Sequence, residues 1–199
     1  MMSTRTRPEE VKKESIKKIF KDILLSGVCG MTPDSIVIKE SVDKNVSEVT
    51  CSYSHSGTNK KLKCSGDGVV DALFSGLCTA NSKKYKSLNR IQFSNFVVKA
   101  DFNTKKTQSG SDSEALVLLE TVNERNQRMI FRQVGKSVNF SATRAVFEAV
   151  EFYINCELCF KKLVSLVEDA KARGRHDVAS MYVGKLVDII SVMTYETDD

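Results

Sequence analysis

The stretch CSGDGVVDALFSGL, residues 64–77, decides how the rest of the chain is read. Gly66 and Gly68 flank Asp67, and an apolar run at helical spacing follows them. The chain has only 10 glycines and 2 prolines in 199 residues, so a glycine pair here marks a boundary between a strand and a helix. A phosphate loop, a tight strand-to-helix turn and a ligand-binding turn all use these residue types. A helix N-terminus does attract anions. Against a phosphate loop, no Lys-Ser/Thr follows, no third glycine stands at G-x-G-x-x-G spacing, and the flanking elements are not of βαβ type. A turn required by the chain and a turn that admits a ligand remain as alternatives.

Outward from this stretch, the chain repeats itself. Upstream, SIVIKES (35–41), SEVTCSYS (47–54) and KKLKC (60–64) read as short strands, the second alternating Val49, Cys51 and Tyr53 on one face. VVDALFSGLCTA (69–80) reads as a helix. Downstream the same order returns: RIQFSNFVVKAD (90–101), EALVLLETV (114–122) and RMIFRQV (128–134) as strands, then a helix from about Asn139. The predicted fold class is α+β, with tandem βββα units in pseudo-twofold relation and each antiparallel sheet covered by a helix. NTKKTQSGSDS (103–113) is a polar loop between two of the strands.

The flanks are helical. Residues 1–7 are expected to be disordered. Over 8–25, Val11, Ile19, Phe20, Ile23 and Leu24 make an apolar stripe opposite lysines, with Pro8 suited to a first helical turn. TPDS (32–35) reads as a turn. From Phe140 to Ala172 there is no Gly or Pro. Ala149, Tyr153, Cys156, Phe160, Leu163, Val167 and Ala170 recur at the alternating spacing of a narrow packing seam. Gly174 is a left-handed stop, and Asp177 caps a second helix over 178–195 with Val178, Met181, Leu186, Ile189 and Met193 on one face. The seam packs within the chain as a hairpin or across a dimer. The expected division is a domain over 8–155 and a helical hairpin extension over 156–199.

Composition narrows the chemistry. Hydrophobic residues make up 41% and charged residues 28%, ordinary values for a globular protein. No apolar run is long enough for a membrane span, and MMSTRTRPEEVKKES has no apolar core of a secretory signal, so a cytoplasmic location is expected. Six cysteines then read as reduced thiols. Cys156-Glu-Leu-Cys159 lacks a second ligand pair for zinc and lies on an apolar helix seam, so its thiols read as small core residues; no metal or cofactor is expected. With two histidines and no G-x-S-x-G elbow, no feature asks for an enzyme. The net charge of +5 is dispersed along the chain. The order helix-βββ-helix over 8–80 is also that of a double-stranded-RNA-binding domain. The start of its last helix, GDGVVDAL, carries two acids and no lysine, so nucleic acid is not the expected partner.

From about Ser35 to Asn155 the chain resembles the regulatory, leucine-binding and dimerising domain of 2-isopropylmalate and citramalate synthases. Gly66-Asp67-Gly68-Val69-Val70-Asp71-Ala72 is similar to the family's G-x-G-P-V-D-A, with Val69 in place of proline. Asn95-Phe96-Val97-Val98-Lys99-Ala100 is similar to its D-Y-x-V/L-K-A strand, and Gly110-Ser111-Asp112 to its G-T/K-D-A element with Ala115 displaced. ThrArgAlaValPheGluAlaVal at 143–150 resembles the second helix. Phe131, Gln133 and Ser137 stand where the family's second set of glycines and aspartate is expected. The resemblance implies paired βββα units, a homodimer and a small metabolite such as an amino acid held near the subunit interface. It puts the ligand at Gly66, Asp67, Gly68, Val70, Asp71, Phe96 and Asp112. A catalytic barrel of about 250 residues does not fit in this chain. The expectation is a stand-alone, non-catalytic regulatory module; the alternatives are an assembly or partner-binding protein that has lost its ligand, and an RNA-binding module.

Overall fold

The computed structural model describes residues 8–101 and 114–193; the segments 1–7, 102–113 and 194–199, which include the expected disordered tail, lie outside that description. Helix α1 (Pro8–Leu24) is followed by strands β1 (Met31–Ser41), β2 (Val46–His55) and β3 (Thr58–Gly66) and helix α2 (Val69–Ser82). A 3-10 turn (Lys86–Arg90) leads into β4 (Ile91–Asp101), β5 (Glu114–Asn123) and β6 (Arg128–Gly135). Helices α3 (Val138–Ala172) and α4 (His176–Ile190) complete the chain. The tandem βββα arrangement with helical additions at both ends is therefore the observed fold, and it is of the α+β class.

Each sheet is an antiparallel meander, β1-β2-β3 and β4-β5-β6. The repeat extends to detail. Both first strands carry a register shift at the same place, Pro33/Ser35 in β1 and Phe93/Asn95 in β4. Ile36 pairs with Cys51 and then Leu62; Phe96 pairs with Leu119 and then Phe131. These rows set the equivalent positions of the two units. TPDS thus lies within β1, not in a turn before it, because the bulge absorbs the irregularity. The β2–β3 hairpin turns on Ser56 and Gly57, both at positive φ, which suits a two-residue loop.

One core joins everything. Helix α2 packs on β2 and β3, α3 packs on β5, β6 and β1, and the two helices pack on each other. Tyr53 meets Phe147 edge-on at 5.3 Å, and Phe131 meets Phe152 at 5.6 Å. Helix α1 packs mainly on α3 and β6, with Ile16 buried and Val11 exposed. It makes little contact with the first sheet.

Helix α3 is one unbroken rod across residue 155, so the expected boundary between domain and hairpin falls inside an element. All seven seam residues from Ala149 to Ala170 are buried, and α4 packs back on α3 within the chain. At Gly174 (φ 68°) the N–H bonds Lys171 O and the Arg175 N–H bonds Ala170 O, a left-handed stop that reverses the chain. Asp177 sits in the first turn of α4 while Arg175 is the cap position. The buried face of α4 is Ala179 and Ile189, continued by Val192 and Met193, with Met181 exposed. Among the described residues no helix is long and apolar enough to cross a membrane.

Candidate functional site

Strand β3 ends at Gly66, and α2 starts two residues later with Gly68 as its cap residue. A Cβ on Gly66 would lie 2.6 Å from Asp71 Oδ2 and 3.0 Å from the Ala72 backbone. The first glycine is therefore demanded by the chain itself: it lets the first turn of α2 close over the strand end, with the Asp71 side chain laid across it. Gly68 is different. Its backbone is extended (φ −164°), and a Cβ there would meet open space. Farther along α2, Gly76 permits close crossing of β3, since a Cβ would lie 2.6 Å from the Cys64 Cβ.

The second unit repeats the first glycine. By strand register Gly135 is equivalent to Gly66, and a Cβ there would lie 2.8 Å from the Ser141 hydroxyl. Ser137 is equivalent to Gly68 and caps α3, its Oγ accepting from the Phe140 N–H at 3.3 Å. Phe131 and Gln133 are equivalent to Leu62 and Cys64 within the strand, so they do not stand at the glycine positions. At the Asp71 position the second unit has Phe140, with the Arg144 guanidinium over its ring. Only the first unit thus places a carboxylate here.

Beside Asp71 an open groove of about 440 Å³ runs between α2 and the start of β4. One wall is a helical stripe of α2: Asp71, Phe74, Ser75, Cys78 and Thr79. The other is Leu88, Asn89, Ile91, Gln92 and Phe93. Phe74 and Phe93 face each other across it, ring centres 6.5 Å apart. Burial pushes the Cys78 thiol up to about 12, so this sulfur is a neutral lining group and not a nucleophile. Of the residues expected at the ligand, Asp71 lines the groove. Gly66 lies beneath its carboxylate, Asp67 is exposed, and Val70 and Phe96 are half-buried against the core. Asp112 lies outside the described residues. The aromatic contributed by β4 is Phe93, three residues before the expected Phe96.

The β4 wall is held from α3. Buried Glu157 accepts the Ser87 N–H at 2.9 Å and pairs with Lys161 at 2.6 Å, and the Ser87 hydroxyl bonds the Tyr153 carbonyl. Two and six residues earlier the same helix holds the approach to β1: Asn155 takes both the N–H and the carbonyl of Cys29, at 2.8 and 2.9 Å, and Glu151 accepts the Met31 N–H at 2.7 Å. A cleft of about 190 Å³ lies between α1 and α3 in this region. Glu148 there accepts from Lys13, Lys17 and Gln133. Burial alone would raise its carboxyl, but the two ammonium groups outweigh it and hold the group below the usual range. These charges are matched within the chain, and the cleft is smaller than ordinary ligand sites.

The thiols are inert by position. Cys156 and Cys159 are fully buried on α3, and burial raises both. Cys29 Sγ lies 3.3 Å from His55 Nε2, and Lys60 Nζ lies 3.2 Å from His55 Nδ1. An ammonium only donates, so Nδ1 is the acceptor and Nε2 carries the proton toward sulfur. Burial first, then Lys60 and Lys84, lower the imidazole from its ordinary value, while burial raises the Cys29 thiol. Burial keeps the thiol protonated, and an imidazole with Nε2–H toward sulfur and Nδ1 taken by Lys60 has no free nitrogen to accept its proton, the reverse of an activated nucleophile. Among the described residues no group of three or more potential ligands is placed to hold a metal ion.

No protein-family model matches this chain, and no curated protein matches it.

Proposed function

We propose that this chain is a non-catalytic binding module of the regulatory-domain type, which takes a small amine-bearing ligand with an apolar body, such as an amino acid, in the α2–β4 groove. The observation that carries this reading is the groove itself, of a volume ordinary for ligand sites, with one carboxylate, Asp71, at the strand-to-helix turn. Phe74, Leu88, Ile91 and Phe93 offer apolar contact, and Ser75, Thr79, Asn89 and Gln92 offer hydrogen bonds. Asp71 is the sole ionisable side chain of formal charge among these lining residues, so the complementary ligand group is a cation. The resemblance of Gly66–Ala72 to an amino-acid-binding regulatory domain points to the same place. An assembly role without a ligand would need this groove closed by aromatic side chains. Phe131 is instead deep in the core, away from it.

A thermal-shift screen of the purified chain against amino acids, simple amines and 2-oxo acids tests the reading. A ligand at about 100 times its Kd adds about 2.7 kcal/mol of stability, a shift of a few degrees for a chain of this size. Amines are expected to shift the transition and 2-oxo acids, which lack the cation, are not. Asp71→Asn and the groove-filling Ser75→Phe are expected to abolish the shift. No response to any compound, or a response that survives Ser75→Phe, overturns the proposal.

A further inference from the structure

We infer that the outward face of the second sheet is the surface on which two copies of this chain pair. Both sheets turn one face to the helices and the other away from them. On its second and third strands the first sheet's outward face is polar: Glu48, Thr50, Ser52 and Ser54 on β2, Lys61, Lys63 and Ser65 on β3, with exposed Val37 of β1 beside Thr50. At the equivalent positions the second sheet has Leu116, Leu118, Glu120 and Val122 on β5, half-buried, and Arg132 and Val134 on β6, exposed, with Ile130 beside them already buried. Val97 of β4 adds to the same face beside Leu118. The same backbone, made twice by one chain, thus carries the same valine on its first strand, Val37 and Val97, but polar second and third strands once and largely apolar ones once. Solubility of the fold cannot require the change, because the first sheet does without it. A shallow depression of about 150 Å³ lies on this face among Asn95, Val97, Lys99, Leu118, Glu120 and Ile130.

The segments outside the description hold little apolar material with which to cover this face. MMSTRTR (1–7), FNTKKTQSGSDS (102–113) and TYETDD (194–199) are polar, and the segment that joins β4 to β5 has Phe102 as its one large apolar residue. The occupant is therefore another molecule, and the charges say which. Lys99, Arg128 and Arg132 stand on this face with Glu114 and Glu120, so both signs are present. Glu120 already accepts from Arg128 at 3.2 Å and from Ser94 at 3.1 Å. A face tuned to an acidic or a basic partner would carry one sign at its rim. A face of mixed sign around an apolar centre complements itself across a twofold axis, with Leu118 of the middle strand near that axis. Two sheets packed face to face are the ordinary way to bury such a surface. Three strands at about 4.8 Å spacing make a face about 14 Å wide. That is small for an interface, so the dimer is expected to dissociate on dilution. This inference gives the expected homodimer its surface and stands whether or not the groove takes a ligand.

Sedimentation velocity of the full chain from about 1 μM to about 100 μM tests it. The wild-type chain is expected to pass from monomer to dimer over that range. Leu118→Lys is expected to weaken association by at least tenfold. The pair Leu118→Thr with Val134→Ser, which installs the residues that the first sheet carries at these positions, is expected to do the same and guards against a fold lost to a buried lysine. Thr50→Lys, at the position of the first sheet equivalent to Leu118, is expected to leave association unchanged. A wild-type chain that stays monomeric throughout overturns the inference. So does a dimer that survives both substitutions on the second sheet, or one that Thr50→Lys disrupts equally.

Discussion

Two glycines two positions apart, Gly66 and Gly68, carry different duties, and single substitutions separate them. Gly66 has no room for a Cβ, because Asp71 Oδ2 and the Ala72 backbone occupy the space. Gly66→Ala is expected to cost about 1–3 kcal/mol, an overpacking effect, measured by denaturant unfolding. In an Asp71→Ala background the cost should fall, since one of the two obstacles is gone; equal costs in both backgrounds would place the strain on the Ala72 backbone alone. Gly68 has room, an extended backbone and no side chain to bond the orphan N–H groups of α2. Ser137 does that work at the equivalent place in α3. Gly68→Ser is therefore expected to stabilise the protein by a few tenths of a kcal/mol. Sequence alone could not tell the two glycines apart, because a glycine needed for closeness and one merely tolerated read the same.

At the scale of elements, the polar side chains of α3 hold connections whose own sequence is unremarkable. Asn155 satisfies both backbone groups of Cys29 in a buried place. Asn155→Ala leaves them without that partner and is expected to cost about 2–3 kcal/mol, read by the same unfolding measurement. Gly174→Ala, at a left-handed position after α3, is expected to cost about 1 kcal/mol and to loosen the turn into α4, seen as faster amide exchange there. The strands and helices themselves were legible. Alternation marks β1 and β2, short apolar runs between turn residues mark the other four strands among the described residues, and the seam from Ala149 to Ala170 marks α3, because burial imposes such patterns on the chain. What failed was whatever depended on distant partners. TPDS carries turn residues, yet pairing with β2 draws it into β1. Met181 fits an apolar stripe, yet α3 meets a face of α4 rotated away from it. The groove was half visible: Asp71 was found from its motif, but Phe93 and the turn before β4 are brought to it by α3, through contacts some 70 residues away in sequence.

For the whole molecule, the balance of acid and base shows in its response to pH. The neutral His55 ring fits its site, with Lys60 donating to Nδ1 and burial opposing a charge. The folded state therefore takes up this proton less readily than the unfolded chain. Stability from this group is complete above the ordinary imidazole value of about 6.5 and falls as the pH drops through it. Glu148 acts lower down. Its carboxylate is favoured in the fold by Lys13 and Lys17, so its contribution is present above about 4.3 and lost as the pH falls below that. His55→Asn copies Asn123, the equivalent residue of the second unit, and is expected to flatten the stability profile between about pH 7 and pH 5 while leaving the more acidic limb in place. An unchanged slope in that interval would remove His55 from the account.

The clamps of α3 also bear on how the chain is made. A ribosome delivers the first βββα unit long before it delivers residues 151–157, yet Cys29, Met31 and Ser87 find these buried partners only on α3. The nascent first unit must wait with its connections unanchored and part of its inner surface uncovered until α3 emerges. Acquisition of the native state is thus set by contacts closed over 70 to 126 residues of sequence, a slow class of event, and the waiting form is the one that holdase chaperones and proteases would meet.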